Sequence, residues 1–179
     1  MTIGTVDLNF TVWNMALHVV DALERLDLPE GLRIRPIDWS NDLQAISTLP
    51  QGEDTIVPNY HLVPVEDEGM SLILEGPEGI IGQVSVSIEM EEWGDCDMEI
   101  DAIFIRPERR GQGLGLLLAD SARSVIELWR SRDILQGETA SPIEVSGDTL
   151  PGTGGERIVE IVAERALHLE EDEPSRPNL

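Results

Sequence analysis

Ile103-Phe104-Ile105-Arg106-Pro107-Glu108-Arg109-Arg110-Gly111-Gln112-Gly113-Leu114-Gly115 is the stretch whose reading decides the fold. An apolar, β-branched run stops at a proline. Two arginines follow, then three glycines at alternate positions, then the leucine-rich run Leu116-Leu117-Leu118. The order predicts a strand, a tight turn and the first turn of a helix. Alternating glycines let the backbone turn without Cβ obstruction and present its N–H groups. The opening helix adds positive partial charge and unsatisfied donors, so the turn suits a phosphate. A dinucleotide fingerprint would place its third glycine at position 116, which is Leu116. A P-loop needs a lysine, and the chain has none. A glycine-rich turn without a ligand remains the plain structural alternative.

The spacing Arg110-x-x-Gly113-x-Gly115, preceded by Ile103-x-Ile105-x-Pro107, resembles the pyrophosphate-binding motif of the GNAT superfamily of N-acetyltransferases, written Arg/Gln-x-x-Gly-x-Gly/Ala. The resemblance implies a cofactor site at Arg110, Gly111, Gln112, Gly113, Leu114 and Gly115, holding the pyrophosphate of acetyl-CoA or another acyl-CoA. It also implies that backbone groups of Phe104 and Ile105 pair with the pantetheine arm. The fold it implies is α/β, with a mixed, mostly antiparallel twisted sheet flanked by helices.

The rest of the chain is read around this turn. Val12 to Leu26 has amphipathic helical spacing, and Pro29-Glu30-Gly31 ends it. Residues 1–31 are thus expected to form an N-terminal helical extension. Leu32 to Ile37 alternates as a strand, and its Ile34-Arg35-Pro36 opening followed by Asp38 resembles the first GNAT strand. Asn41 to Thr48 reads as a short helix and Pro50 to Pro58 as a loop. In the family, the segment near residues 40–70 covers the acceptor site, and here it carries Tyr60 and His61. Ser71–Glu75 and Ile80–Met90 flank Gly76-Pro77-Glu78-Gly79, a hairpin signal. Val84, Val86 and Ile88 alternate with Ser85, Ser87 and Glu89. Met98–Ile105 is the next strand, and Gly115–Arg130 a helix with Leu118, Val125 and Trp129 on one face. Ile143–Ser146 reads as a short strand and Gly147–Gly155 as a loop. Glu156–Leu169 reads as a helix with Ile158, Ile161, Val162 and Leu169 inward. This order matches the family over residues 32–169, and the acidic tail 170–179 is expected to be disordered. The family adds a strand or two after its last helix. Their lack here predicts an open sheet edge and a possible homodimer.

Composition bounds the function. The chain has 179 residues, of which 41% are apolar, enough for one domain with a sizeable core. No run approaches membrane-spanning length, no basic leader opens the chain, and its single cysteine, Cys96, excludes an internal disulfide. A cytoplasmic protein is expected. The net charge of −23 disfavours nucleic acid and anionic membranes as partners. All 12 basic residues are arginine. Arg106, Arg109, Arg110, Arg123, Arg130 and Arg132 face only Glu108, Asp120 and Glu127 over the same window. Such a patch suits a polyanionic cofactor, although the helix arginines could equally pair with nearby acids.

Acetyl transfer to an amine needs a base for the amine proton and stabilisation of the leaving thiolate. Glu89, Glu91, Glu92, Asp95, Asp97, Glu99 and Asp101 form an acidic run without a base. Glu99 and Asp101 are two apart in a strand and face the same way. They are the candidate catalytic residues. Counted back from Arg110, Glu99 matches the glutamate base of the histone-acetyltransferase branch of the family. The plain alternative is a solvated acidic edge. The family's tyrosine acid in an Asn-x-x-Ala-x-x-Tyr pattern has no counterpart after Ile143, which leaves that role to Ser146 or a water. His18, His61 and His168 lack ligand spacing, so no metal is expected. The acidity around Cys96 disfavours a thiolate nucleophile. The resemblance implies acetyl transfer to a primary amine. The lack of an activated nucleophile points to direct attack, and the acidic run to a cationic acceptor: a polyamine, an aminoglycoside-like compound or a protein amine. Two other readings stay open, an acyl-CoA-binding sensor or subunit without turnover, and an acidic interaction protein.

Overall fold

The computed structural model describes residues 23, 26–38, 41–42, 69–90, 95–131, 141–147 and 154–168. The helix expected over Val12–Leu26, that over Asn41–Thr48, Tyr60, His61, Glu91, Glu92 and the tail lie wholly or largely outside these residues.

Among the described residues five strands form one sheet in sequential order. β1 is Arg33–Pro36, β2 Gly69–Gly76, β3 Gly79–Met90, β4 Cys96–Ile105 and β5 Glu144–Ser146. The first four pair antiparallel, whereas β4 and β5 pair parallel. A parallel pair needs a crossover, and helix α1, Leu114–Trp129, supplies it. Helix α2, Gly155–His168, follows β5. The β2–β3 turn lies on Pro77 and Glu78, with Gly79 at φ 97°. That left-handed backbone is why the turn requires a glycine there.

One core lies between the sheet and both helices. Leu72, Leu74, Val84, Val86 and Met98 from the strands meet Leu118, Ala122, Val125 and Ile126 of α1 and Val162 of α2, all fully buried. The expected stripe Leu118, Val125, Trp129 is buried as read. On α2 the inward face differs slightly. Ile158, Val159, Val162 and Ala166 are turned to the interior, with Ile161 half-buried at its margin and Leu167 exposed. A smaller cluster, Ile73, Ile80 and Phe104 with Ile37, occupies the opposite sheet face. There the alternation of β3 hides more than it suggests, because Gln83 and Ser85 are buried as well. Ser85 Oγ and Ser71 Oγ lie 2.8 Å apart, and Gln83 Nε2 donates to Ser85 Oγ at 3.2 Å. These bonds satisfy groups that would otherwise be costly to bury.

β1 is tied to the sheet by charge. Arg35 donates to both oxygens of Asp42, at 2.6 and 2.8 Å, and to Glu75 Oε1 at 2.7 Å. The Asp38 amide donates to Asp42 Oδ2 at 2.8 Å. The bonds from Arg35 hold the Asp42 carboxyl below the usual carboxylate range. A depressed carboxylate contributes stability that is complete above its unfolded value, near 4, and lost as pH falls through the folded one. Asp42→Asn should therefore cost about 1–3 kcal/mol at pH 7. Urea melts at pH 7 and pH 3 would check this, because the gap between wild type and variant should narrow at the lower pH.

Candidate acyl-CoA site

β4 changes partner along its length. Its whole length pairs with β3, but β5 covers only Asp97, Met98 and Glu99. Beyond Ser146, opposite Glu99, the two strands part. From Ile100 to Ile105 the β5 side of β4 has no strand partner among the described residues. A register shift opposite Ser85 and Val86 makes Asp101 the extra residue of a bulge. The bulge reverses the alternation. Met98 and Ile100 face the helices before it, and Ile103 and Ile105 after it.

The ladder shows which backbone groups face the opening. The Arg106 amide donates to Ile81 O at 2.9 Å, and Phe104 stands opposite Gln83. In an antiparallel ladder such pairs alternate. Phe104 thus spends its amide and carbonyl on β3, while Ile103 and Ile105 turn theirs to the open side. Of the two backbone positions the motif pointed to, Ile105 faces the opening and Phe104 does not. Ile103 takes its place, and only the register could have revealed that.

The turn begins where this edge ends. Pro107–Arg109 is one turn of 3-10 helix. Gly111 and Gly113 then take φ of 74° and 76°, a backbone that L side chains rarely adopt. Among the described residues, chain neighbours apart, no atom lies within 4 Å of where a Cβ would stand on either. Gly113 caps α1, and the first intrahelical bond runs from Leu117 N to Gly113 O. The amides of Leu114, Gly115 and Leu116 precede it and have no intrahelical acceptor. Among the described residues no side chain caps them, and no acidic residue lies in the first turn. Most helices place a capping oxygen there. This one presents bare donors and open space, which fits a phosphate. Gly115 has a different reason to be glycine. A Cβ there would lie 2.9 Å from Ile158 Cδ1 of α2 and close to Ile103 and Ile105, so its absence allows the close packing of helix on helix.

The arginines divide between two duties. Arg110 Nε donates to Ile105 O at 3.0 Å. Arg109 pairs with Glu78 on the β2–β3 turn at 2.7 Å, and Arg106 stands 3.8 Å from Glu108. These three surround the turn. Arg123 and Arg130 are buried elsewhere. Arg123 is clamped by Asp120 and Glu127, and Arg130 donates to Ser141 O. Asp120 also receives Arg165 from α2 at 2.6 Å. Arg132 lies outside the described residues.

Glu89, Asp97, Glu99 and Asp101 share the sheet face opposite α1, with Glu89 directly opposite Asp97 and Ser87 opposite Glu99. Ser87 Oγ donates to Asp101 Oδ2 at 2.8 Å. Asp101 is exposed, and the limited desolvation it meets on the sheet face pushes its carboxyl upward, against the opposing effect of that bond. Cys96 is buried, and its thiol is pushed up to about 11, chiefly by burial. Among the described residues no group of three or more His, Cys, Asp or Glu could hold a metal, and no helix is long and apolar enough to cross a membrane.

The architecture has known counterparts. A ribosomal-protein-alanine N-acetyltransferase from Brucella melitensis biovar Abortus 2308 superposes with a TM-score of 0.50 and 15% identity, over 73% of this chain and 90% of that one. An aminoglycoside acetyltransferase from an uncultured soil metagenomic sample, in complex with trehalose, gives 0.49 and 10%, over 86% and 94%. An aminoglycoside N-acetyltransferase in complex with CoA gives 0.49 and 17%, over 76% and 90%. No protein-family model matches the chain, and no curated protein matches it in sequence. The fold is that of the GNAT N-acetyltransferases, with its mixed sheet of five strands flanked by helices.

Proposed function

We propose that this protein is an N-acetyltransferase that takes acetyl from acetyl-CoA and delivers it to a cationic primary amine. The observation that carries the proposal is the junction of an open β4 edge with an uncapped, glycine-lined helix N-terminus. The amides of Gly113 to Leu116 would hold the pyrophosphate. The open-side amide and carbonyl of Ile103 and the open-side amide of Ile105 would pair with the pantetheine arm, the Ile105 carbonyl being taken by Arg110. The bound thioester supplies an activated acetyl group. The chain's own part is to orient it and to handle the proton of the acceptor.

The acids on the far face of β3 and β4 support the choice of acceptor. Like charges opposite each other on neighbouring strands are destabilising, and a cation placed among them relieves that repulsion. Asp101 is the better placed base of the two candidates. Although exposed, it meets enough desolvation on the sheet face to shift its carboxyl upward, and Ser87 donates a hydrogen bond to it. Glu99 lies beside it, where the β4–β5 pairing ends. Direct attack by the amine then needs no nucleophile from the protein, in keeping with a Cys96 that is buried and protonated.

Calorimetric titration with acetyl-CoA, followed by turnover with a panel of polyamines, aminoglycosides and peptides, tests the proposal. Micromolar binding and release of CoA with at least one cationic amine are expected. Binding without turnover on any amine would favour an acyl-CoA sensor. No binding at all would overturn both.

A further inference from the structure

Arg110 makes one contact that sets it apart from the other arginines of the turn. Because Arg106 sends its amide to Ile81 on β3, Ile105 sends its carbonyl to the open side. That carbonyl is the last of β4, and Arg110 Nε donates to it at 3.0 Å. Within the short bridge from Ile105 to Arg110 run two backbone bonds, Arg109 N to Arg106 O at 2.9 Å and Arg110 N to Pro107 O at 3.3 Å, and Arg109 ties its middle to Glu78 on the β2–β3 turn. Two glycines in left-handed backbone follow at once, and glycine there is the freest part of any chain. An array of donors binds an anion well only if it is organised beforehand.

We propose that Arg110 is a positioning residue. Its Nε–H ties the glycine turn to the end of β4 and so aims the donors of α1, and its charge is secondary to that tie. The inference rests on the acyl-CoA reading for its ligand, but the tie itself belongs to the free protein. A neutral side chain of suitable reach with an N–H donor should do the same. Glutamine has one, and methionine, of similar length, has none.

Wild type, Arg110→Gln and Arg110→Met would be titrated with acetyl-CoA at low and high salt. Hydrogen exchange of the Arg109, Arg110 and Leu117 amides would be read in each free protein. Arg110→Met should weaken binding roughly tenfold, as loss of one net hydrogen bond would, and should speed exchange at all three amides. Arg110→Gln should stay within roughly threefold of wild type, with wild-type exchange and undiminished salt dependence. Gln binding as weakly as Met, with a shallower salt dependence, would overturn the proposal and make the guanidinium charge a direct phosphate ligand. Wild-type exchange in Arg110→Met would overturn it too. If wild type itself fails to bind acetyl-CoA, the proposed function falls, while the exchange data still decide whether Arg110 anchors the turn.

Discussion

Gly113→Val should abolish acetyl-CoA binding while leaving the protein folded. Gly113 sits at φ 76°, and a β-branched residue there is strained by about 1–2 kcal/mol. That is a fraction of the 5–15 kcal/mol typical of a domain, so the fold survives with a lowered Tm. The effect on binding is larger, because the new side chain enters the open space beside the uncapped amides of α1. Displacing a phosphate from two charge-assisted hydrogen bonds weakens binding by roughly 100-fold or more. Gly115→Val makes the contrast. Its Cβ would press on Ile158 Cδ1 at 2.9 Å and leave the donors clear, so it should lower Tm and change affinity little. Calorimetry beside thermal melting separates the two. Undiminished binding in Gly113→Val would remove the turn from the phosphate site.

Those two glycines also mark how far the sequence could be read. The motif joined Gly111, Gly113 and Gly115 in one phosphate-binding role. Spacing alone could not separate a glycine needed for its φ from one needed for its missing Cβ, because α2 meets Gly115 only in the folded chain. The hairpin, the β4 strand and α1 were legible for a simple reason. Periods of two and 3.6 residues are local, and so are the proline and glycine that interrupt them. The bulge at Asp101 was not legible, since it arises from pairing with Ser85 and Val86, some fifteen residues away. With it went the direction of the Phe104 backbone and the part of Ile103. The arginine cluster was half legible. Arg106, Arg109 and Arg110 surround the turn, whereas Arg123 and Arg130 are interior groups with partners of their own.

Asp101→Asn should lower kcat about 10²–10⁴-fold, the range that a positioned general base supplies. The two candidate acids of β4, Glu99 and Asp101, look equivalent along the strand, but their surroundings differ. Ser87 Oγ donates to Asp101, and the limited burial of this exposed residue shifts its carboxyl upward from its ordinary value. A raised carboxylate is a stronger base, closer to the amine it must deprotonate. The same burial opposes folding, since the ionised form is the penalised one. The stability cost of a raised carboxyl is present at neutral pH and relieved as pH falls. Asparagine keeps the size and removes the charge, so the variant should melt no lower than wild type at pH 7 while losing its activity. In the wild type, kcat/KM should fall on the acid side as Asp101 takes up its proton, and that limb should be missing from the residual activity of Asp101→Asn. On the proposed reading Glu99→Gln should cost far less, since Glu99 would draw in a cation and Asp101 would accept its proton. Rates across pH 5–9 for the two variants decide the matter. A large loss in Glu99→Gln with a near-normal Asp101→Asn would move the base one step along the strand, to the residue facing β5.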